Sequence, residues 1–416
     1  MMFARIFALV SVAAACLSQP AGAAPSDWPS TVAQARGQAV YWHAWGGDEN
    51  VNRYIQWTAS QVKQRFGIDL HHVKVADIGQ TVTQLVAEKA AGRTTGGRID
   101  LMWLNGENFA ALKERGLLYG PITSQLPHFA LVDTLNKPTT VLDFTVPTDG
   151  FESPWGMAQV VFFADSARES HPPRTLADLA GWAKAHPGRF TYPAPPDFSG
   201  TTFLKQALLD LTEDRSAVYA PMREEDFARV TAPLWRFIDA LHPSLWRKGT
   251  VFPANYPAMR QLMNDGELDV AFSLNPAEAA VAISKKLLPA TVRSFVLDGG
   301  TIGNTHFVAV PASAAAKEGA LVVADFLLSP EAQGRKANPE LWGDPTVLDL
   351  DRLTPADRRH FDIPRGGGPR GGGPQGGGPQ GGGAMPSPAD LRRVLAEPHP
   401  SWTARIEREW QKRYTR

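Results

Sequence analysis

Gln38-Ala39-Val40-Tyr41-Trp42-His43-Ala44-Trp45-Gly46-Gly47-Asp48 reads as a strand that runs out into a glycine-containing loop. Gln38 to Trp42 forms the strand, and its alternation turns Trp42 toward a core. From Asn50 to Phe66 the positions Val51, Tyr54, Ile55, Thr58 and Val62 recur at helical spacing, and Gly67 supplies a C-terminal stop. Asp69 to Val75 is again strand-like, Val82 to Ala91 helical, and Ile99 to Leu104 a third strand. Strand and helix patterns in alternation predict an α/β architecture.

The same alternation continues outward. Met157 to Phe163 reads as one strand after a Pro-containing turn. Helices are predicted at Leu176–Ala185, Thr201–Leu211, Phe227–Leu241 and Tyr256–Asn264, and strands at Leu268–Phe272, Thr291–Leu297 and Thr305–Val310. A long helix from Ala314 to Leu328 stops before Pro330. Residues 365–383 are different in kind: glycine triplets and prolines with Arg or Gln between them, which bury almost nothing and predict a disordered surface loop. Glycine does not fall at every third position, so the segment is not collagen-like. Beyond it, Leu391, Val394, Leu395, Trp402, Ile406 and Trp410 give a helical apolar pattern that should dock back on the body.

The first residues are of another type. Met1-Met2-Phe3-Ala4-Arg5, an apolar run from Ile6 to Leu17 and Ala21-Gly22-Ala23 have the order of a secretory leader, with cleavage expected after Ala23. The run is shorter than the roughly 20 apolar residues of a membrane span. Cys16, the single cysteine, lies inside that leader; lipidation there lacks the usual leucine three positions earlier. A mature chain without disulfides must be held by its core, and 416 residues at 43% hydrophobic content suffice for two. Lys plus Arg equals Asp plus Glu at 42 each, which argues against nucleic acid or an anionic membrane as an electrostatic partner.

Several segments are more specific. Tyr41 to Asp48 and Trp103-Leu104-Asn105-Gly106-Glu107-Asn108-Phe109 are aromatic-rich loops after strands. Glu152-Ser153-Pro154-Trp155-Gly156, Ala324-Asp325-Phe326-Leu327-Leu328-Ser329-Pro330-Glu331-Ala332-Gln333 and Asn338 to Leu348 complete the set. Together they resemble the periplasmic solute-binding proteins of ABC importers, and within these the YnjB-like branch. The resemblance implies a two-lobed type II periplasmic-binding-protein fold with a ligand cleft between the lobes. Residues 24–154 and 299–340 would form the first lobe and 155–298 the second, with 341–416 packing on the second. It also implies a monomer that passes a small molecule to an inner-membrane permease with its ATPase subunit, without cofactor or catalysis.

Candidate ligand contacts follow from loops at strand ends, where α/β sheets bind ligands. Trp45 offers a stacking face, with Gly46 and Gly47 allowing close backbone approach. Trp103, Asn105, Glu107 and Asn108 place an aromatic ring beside polar groups, which suits a ligand pocket better than a core, and Asn105 could cap a helix as well. Ser199, Gly200 and Thr201 open a helix, a favourable place for an anion unless Asp197 or Ser199 merely caps it. Tyr256, Asn275 and Asn304 sit at loop positions in the second half, where turn formation explains the asparagines as well. Trp45, Trp103 and Trp155 with Glu107 and Glu152 suit a cationic or heteroaromatic solute of thiamine-like character.

Other classes are thinned out. His71 and His72 point to opposite faces of one strand and cannot share a metal. Ser60-Gln61-Val62-Lys63 matches S-x-x-K without its companion motifs, and G-x-S-x-G, H-E-x-x-H and the P-loop are missing. A periplasmic hydrolase would have to use carboxylates such as Asp48, Glu107 and Glu152. One glycine-rich loop in a compact α/β pattern does not support an adhesion or scaffold protein.

Overall fold

A computed structural model describes residues 27–362 and 384–415. The expected leader with Cys16, and the glycine-proline segment 365–383, lie outside the described residues. Strand β1 (Ala39–Trp45) leads to helix α1 (Glu49–Phe66). Asp48 caps that helix, its carboxylate accepting from the Asn50 and Val51 amides. Gly67 closes it at φ +73°, a left-handed conformation that lets its N–H reach the last carbonyls. Strand β2 (Asp69–Val75) then pairs in parallel with β1 along its whole length, Ala39 opposite Asp69 and Trp45 opposite Val75. Helix α2 (Gly79–Ala90), strand β3 (Leu101–Leu104) and helix α3 (Glu107–Glu114) complete this run, with β3 parallel to β1 on its other side. Trp42 is fully buried, as its place in the alternation predicts.

The chain then changes sheets. Strand β4 (Glu152–Gln159) belongs to the first sheet, and strand β5 (Val161–Asp165) is the centre of a second. One strand was expected over Met157–Phe163. The ladder breaks at Val160, where the Gln159 amide bonds to the Leu274 carbonyl and the Val160 amide to the Ile302 carbonyl. Helix α4 (Phe198–Leu211), helix α5 (Tyr256–Asn264), strand β6 (Val270–Ser273) and strand β7 (Val292–Phe295) follow, the second sheet having the antiparallel order β7-β5-β6. The return strand β8 (Thr301–Pro311) is longer than its apolar pattern, because the Gln206 side chain and a tail strand satisfy its first residues. It pairs antiparallel with both β3 and β4.

Helix α6 (Lys317–Leu327) is followed by a separate helix α7 (Pro330–Ala337), capped by Ser329 with Pro330 at its first position. The tail is also divided where a single helical pattern was expected. Strand β9 (Val394–Leu395) lies parallel to Thr301 and Ile302, and helix α8 (Ser401–Tyr414) starts only after Pro398 and Pro400, which have no N–H to donate. Trp402, Ile406 and Trp410 follow at four-residue spacing and bury in the second lobe's core, contributing about 1.5–3 kcal/mol each. The main sheet therefore has the order β9-β8-β3-β1-β2 with β4 beside β8, and separate apolar cores lie under the two sheets.

Candidate ligand cleft

Between the two lobes lies a cavity of about 560 Å³. Trp45, at the carboxyl end of β1, forms part of its wall and packs against Tyr256 of the other lobe, ring centres 5.6 Å apart. The glycines after Trp45 have a different task from the one expected. A Cβ on Gly47 would meet indole Cε2 of Trp45 at 2.6 Å, and one on Gly46 would meet the Lys74 side chain, so both make room for neighbouring side chains. An ion pair and a hydrogen bond join the lobes nearby: Arg260 reaches Asp48 at 3.6 Å while holding Glu278, and Lys285 donates to the Asn50 side-chain oxygen.

Trp103 lines the cavity from β3 and meets Trp155 and His306 edge to face, at 4.8 and 5.0 Å. Trp155 was expected in the cleft. Instead β4 turns it inward, fully buried between Trp42 and Trp103, where it supports the wall without reaching the cavity. Gly156 beside it leaves space for His306, Asp344 and Lys336, which a side chain would strike. The Lys336 ammonium and the His306 ring hold the Asp344 carboxyl below its usual range against its burial.

Asn105 does not cap α3. The cap position belongs to Gly106, at φ +63°, whose missing side chain admits the Phe144 ring. Asn105 lines the cavity at 9% exposure, and its side chain makes no hydrogen bond among the described residues. Glu107 takes one hydrogen bond from the Asn108 amide at 3.1 Å. Burial pushes its carboxyl up to about 7, with the Lys205 ammonium pulling the other way.

At the start of α4 the expected anion site is already filled. Asp197 accepts from the Ser199 and Gly200 amides and the Ser199 hydroxyl, and Thr201 donates to Glu407 at 2.7 Å. Ser199 and Thr201 line the cavity, while Gly200 lies behind them under the Pro193 carbonyl, which a Cβ would strike. Asn275 reaches the cavity, but its amide is spent on the Trp342 carbonyl and the Ala277 N–H. Asn304 does not reach it. It is buried behind the cleft and donates to Glu397, whose other oxygen is 2.8 Å from Lys205. Of the carboxylates a hydrolase would need, Asp48 caps α1 and Glu152 is sealed in the first lobe; Glu107 alone among them lines the cavity.

Reading the sequence missed Asp77, Lys205, His306, Trp342 and, from the tail, Thr403 and Glu407. Asp77 lies just past the carboxyl end of β2, as Trp45 lies at that of β1, so the strand-end rule would have found it. Nothing local marks Glu407, which reaches the cleft only because α8 docks on the second lobe.

Two α/β lobes joined at β4 and β8, with an aromatic and polar cavity between them, define a type II periplasmic binding protein. The chain belongs to the bacterial extracellular solute-binding protein family, whose model matches residues 57–349. It is 45% identical over 389 residues to Protein YnjB of Escherichia coli (strain K12), covering 94% of each chain. The fold is shared with the periplasmic binding protein AfuA of Actinobacillus pleuropneumoniae, solved with fructose-6-phosphate (TM-score 0.61, 14% identity, 91% of this chain and 98% of that one). It is shared too with the spermidine/putrescine substrate-binding protein PotD of Streptococcus pneumoniae (TM-score 0.58, 13% identity, 91% and 98%). Among the described residues no helix is long and apolar enough to cross a membrane.

Proposed function

We propose that this chain captures a small organic solute with a cationic or heteroaromatic part, thiamine-like in character, and hands it to an ABC permease energised by its ATPase subunit. The leader would place it in the periplasm, where it works as a monomer. One observation supports the solute class above the others: Trp45, Trp103 and Tyr256 line the same cavity as Asn105, a buried amide with no partner of its own. Ring faces stack on a flat heterocycle and attract positive charge. The amide opens onto the cavity, so a ligand that excludes water there must bond it or forfeit about 1–3 kcal/mol. The filled helix start at Ser199 removes the main reason to expect an anion.

A thermal-shift screen of the purified protein against solutes of both charges and of none tests this, because a ligand that binds only the folded chain raises the melting temperature. Thiamine and related cationic heterocycles should give the largest shifts. A screen in which sugars or organic anions alone stabilise the protein would refute the solute class. Turnover of any bound compound would refute a pure binding role.

A further inference from the structure

Asp77, Glu107 and Glu407 all line the cavity, the first two from the first lobe and the third from the tail helix α8 on the second. The other charged groups around the cavity are already matched. Asp197 is taken up by the start of α4, and Asp344 by Lys336 and His306. Lys205 pairs with Glu397 at 2.8 Å and lies 4.2 Å over the Phe144 ring. Asp77 accepts from the Gly79 amide, Glu107 from Asn108 and Glu407 from Thr201, each through one oxygen. The second oxygen of each has no hydrogen-bond partner among the described residues. Among the described residues no arginine lines the cavity. Asn105, more than nine-tenths buried and equally without a partner, borders the same space beside Glu107.

Resting on the reading of the chain as a solute-binding protein, we propose that the cleft receives an organic ammonium between Asp77 and Glu107 on one lobe and Glu407 on the other, and that this cation permits the lobes to close. Like charges brought together in a desolvated cleft repel, so closure without a cation is opposed. A bound ammonium offers several N–H donors to the free carboxylate oxygens and reverses the sign of the interaction. The acids already feel one another. Burial raises Glu407, and the Asp77 charge adds to that rise, with the Thr201 hydroxyl and Lys205 opposing it and Arg408 also lowering it. Burial likewise raises Glu107, with Glu407 and Glu397 adding to it against Lys205. Asn105 would bond a neutral polar atom next to the ammonium.

The test compares thiamine and putrescine with fructose 6-phosphate and a neutral sugar, by calorimetry and small-angle scattering on the wild-type protein and on Glu407→Gln. The glutamine oxygen can still accept from Thr201, so α8 should keep its place. The cations should bind and compact the wild type. Glu407→Gln should weaken them about 10–100-fold and leave the ligand-free protein more compact than wild type. Asp77→Asn, on the opposite lobe, should act in the same way and decides the matter if Glu407→Gln melts abnormally. Tight binding of the anion or the sugar, with compaction that neither substitution alters, would overturn the proposal and leave solute capture standing. Absence of binding by every solute of either charge would overturn the capture reading itself.

Discussion

Trp103→Ala separates a cleft wall from a core pillar. The indole faces the cavity on one side and on the other makes two edge-to-face contacts, with Trp155 and His306. Such contacts are worth about 0.5–1.5 kcal/mol each, so the substitution should cost roughly 1–3 kcal/mol of stability. A fully packed tryptophan would cost about 3–5 kcal/mol, the difference reflecting the wall atoms that the open cavity does not supply. For lobes of this size about 2–4 °C is lost per kcal/mol, which gives a fall of roughly 2–12 °C in the melting temperature. Affinity for a cationic heteroaromatic ligand should drop by a further 1–3 kcal/mol or so, a factor of about 5–150. Calorimetric titration and thermal denaturation on one preparation give both numbers, with Trp103→Phe expected to recover part of each. An unchanged dissociation constant beside a melting temperature lowered by more than about 15 °C would make Trp103 a core residue and refute the reasoning.

Gly47→Ala should displace the Trp45 ring, since its Cβ falls 2.6 Å from Cε2 and 2.9 Å from Nε1; a loss of affinity of about tenfold is expected by calorimetry, and a change under twofold would count against Trp45 as a contact. Lys336→Met leaves Asp344 buried with a weakened set of partners and should cost about 3–5 kcal/mol in a urea titration, with a loss below about 1 kcal/mol showing that the pair is dispensable. The Glu107 carboxyl holds its proton better in the folded chain than in the unfolded one, so its contribution is complete at low pH and disappears as pH rises from 4.5 to about 7. The ligand-free melting temperature should therefore fall across that window and fall less in Glu107→Gln, while affinity for a cation rises as Glu107 ionises. His242 is pushed down to about 4 by burial beside Tyr192, so its contribution is complete above 6.5 and is lost as pH falls toward 4; His242→Gln should blunt that acid loss in a melting series.

The parallel strands and their loops were legible because each element carries its own signal: alternation in β1, the Asp48 cap and Gly67 stop of α1, the strand-end position of Trp45 and Trp103. What escaped depends on partners distant in sequence. Met157 to Phe163 is apolar except for Gln159, and it does not mark Val160 as the point where the chain changes sheets. Trp155 and Trp103 are the same residue type on the two strands that flank β8, and only the facing of β4 makes one a pillar and the other a wall. Ser199 to Thr201 has the composition of an anion site, but Asp197 and Glu407 occupy it from within. Asn304 reads as a cleft residue and serves instead to anchor Glu397.

That anchoring has a consequence for biogenesis. Asp77 and Trp103 are made early, whereas Glu397 and Glu407 come almost last, the one just after β9 and the other on α8. Contacts between such distant parts of a chain form slowly, because a long loop must be closed before they are rewarded. The cleft therefore lacks Thr403 and Glu407, the tail's share of its second wall, until α8 has been made. A nascent chain lacking α8 would be without the Glu407 carboxylate and without the burial of Trp402, Ile406 and Trp410 in the second lobe's core, so that lobe is completed last.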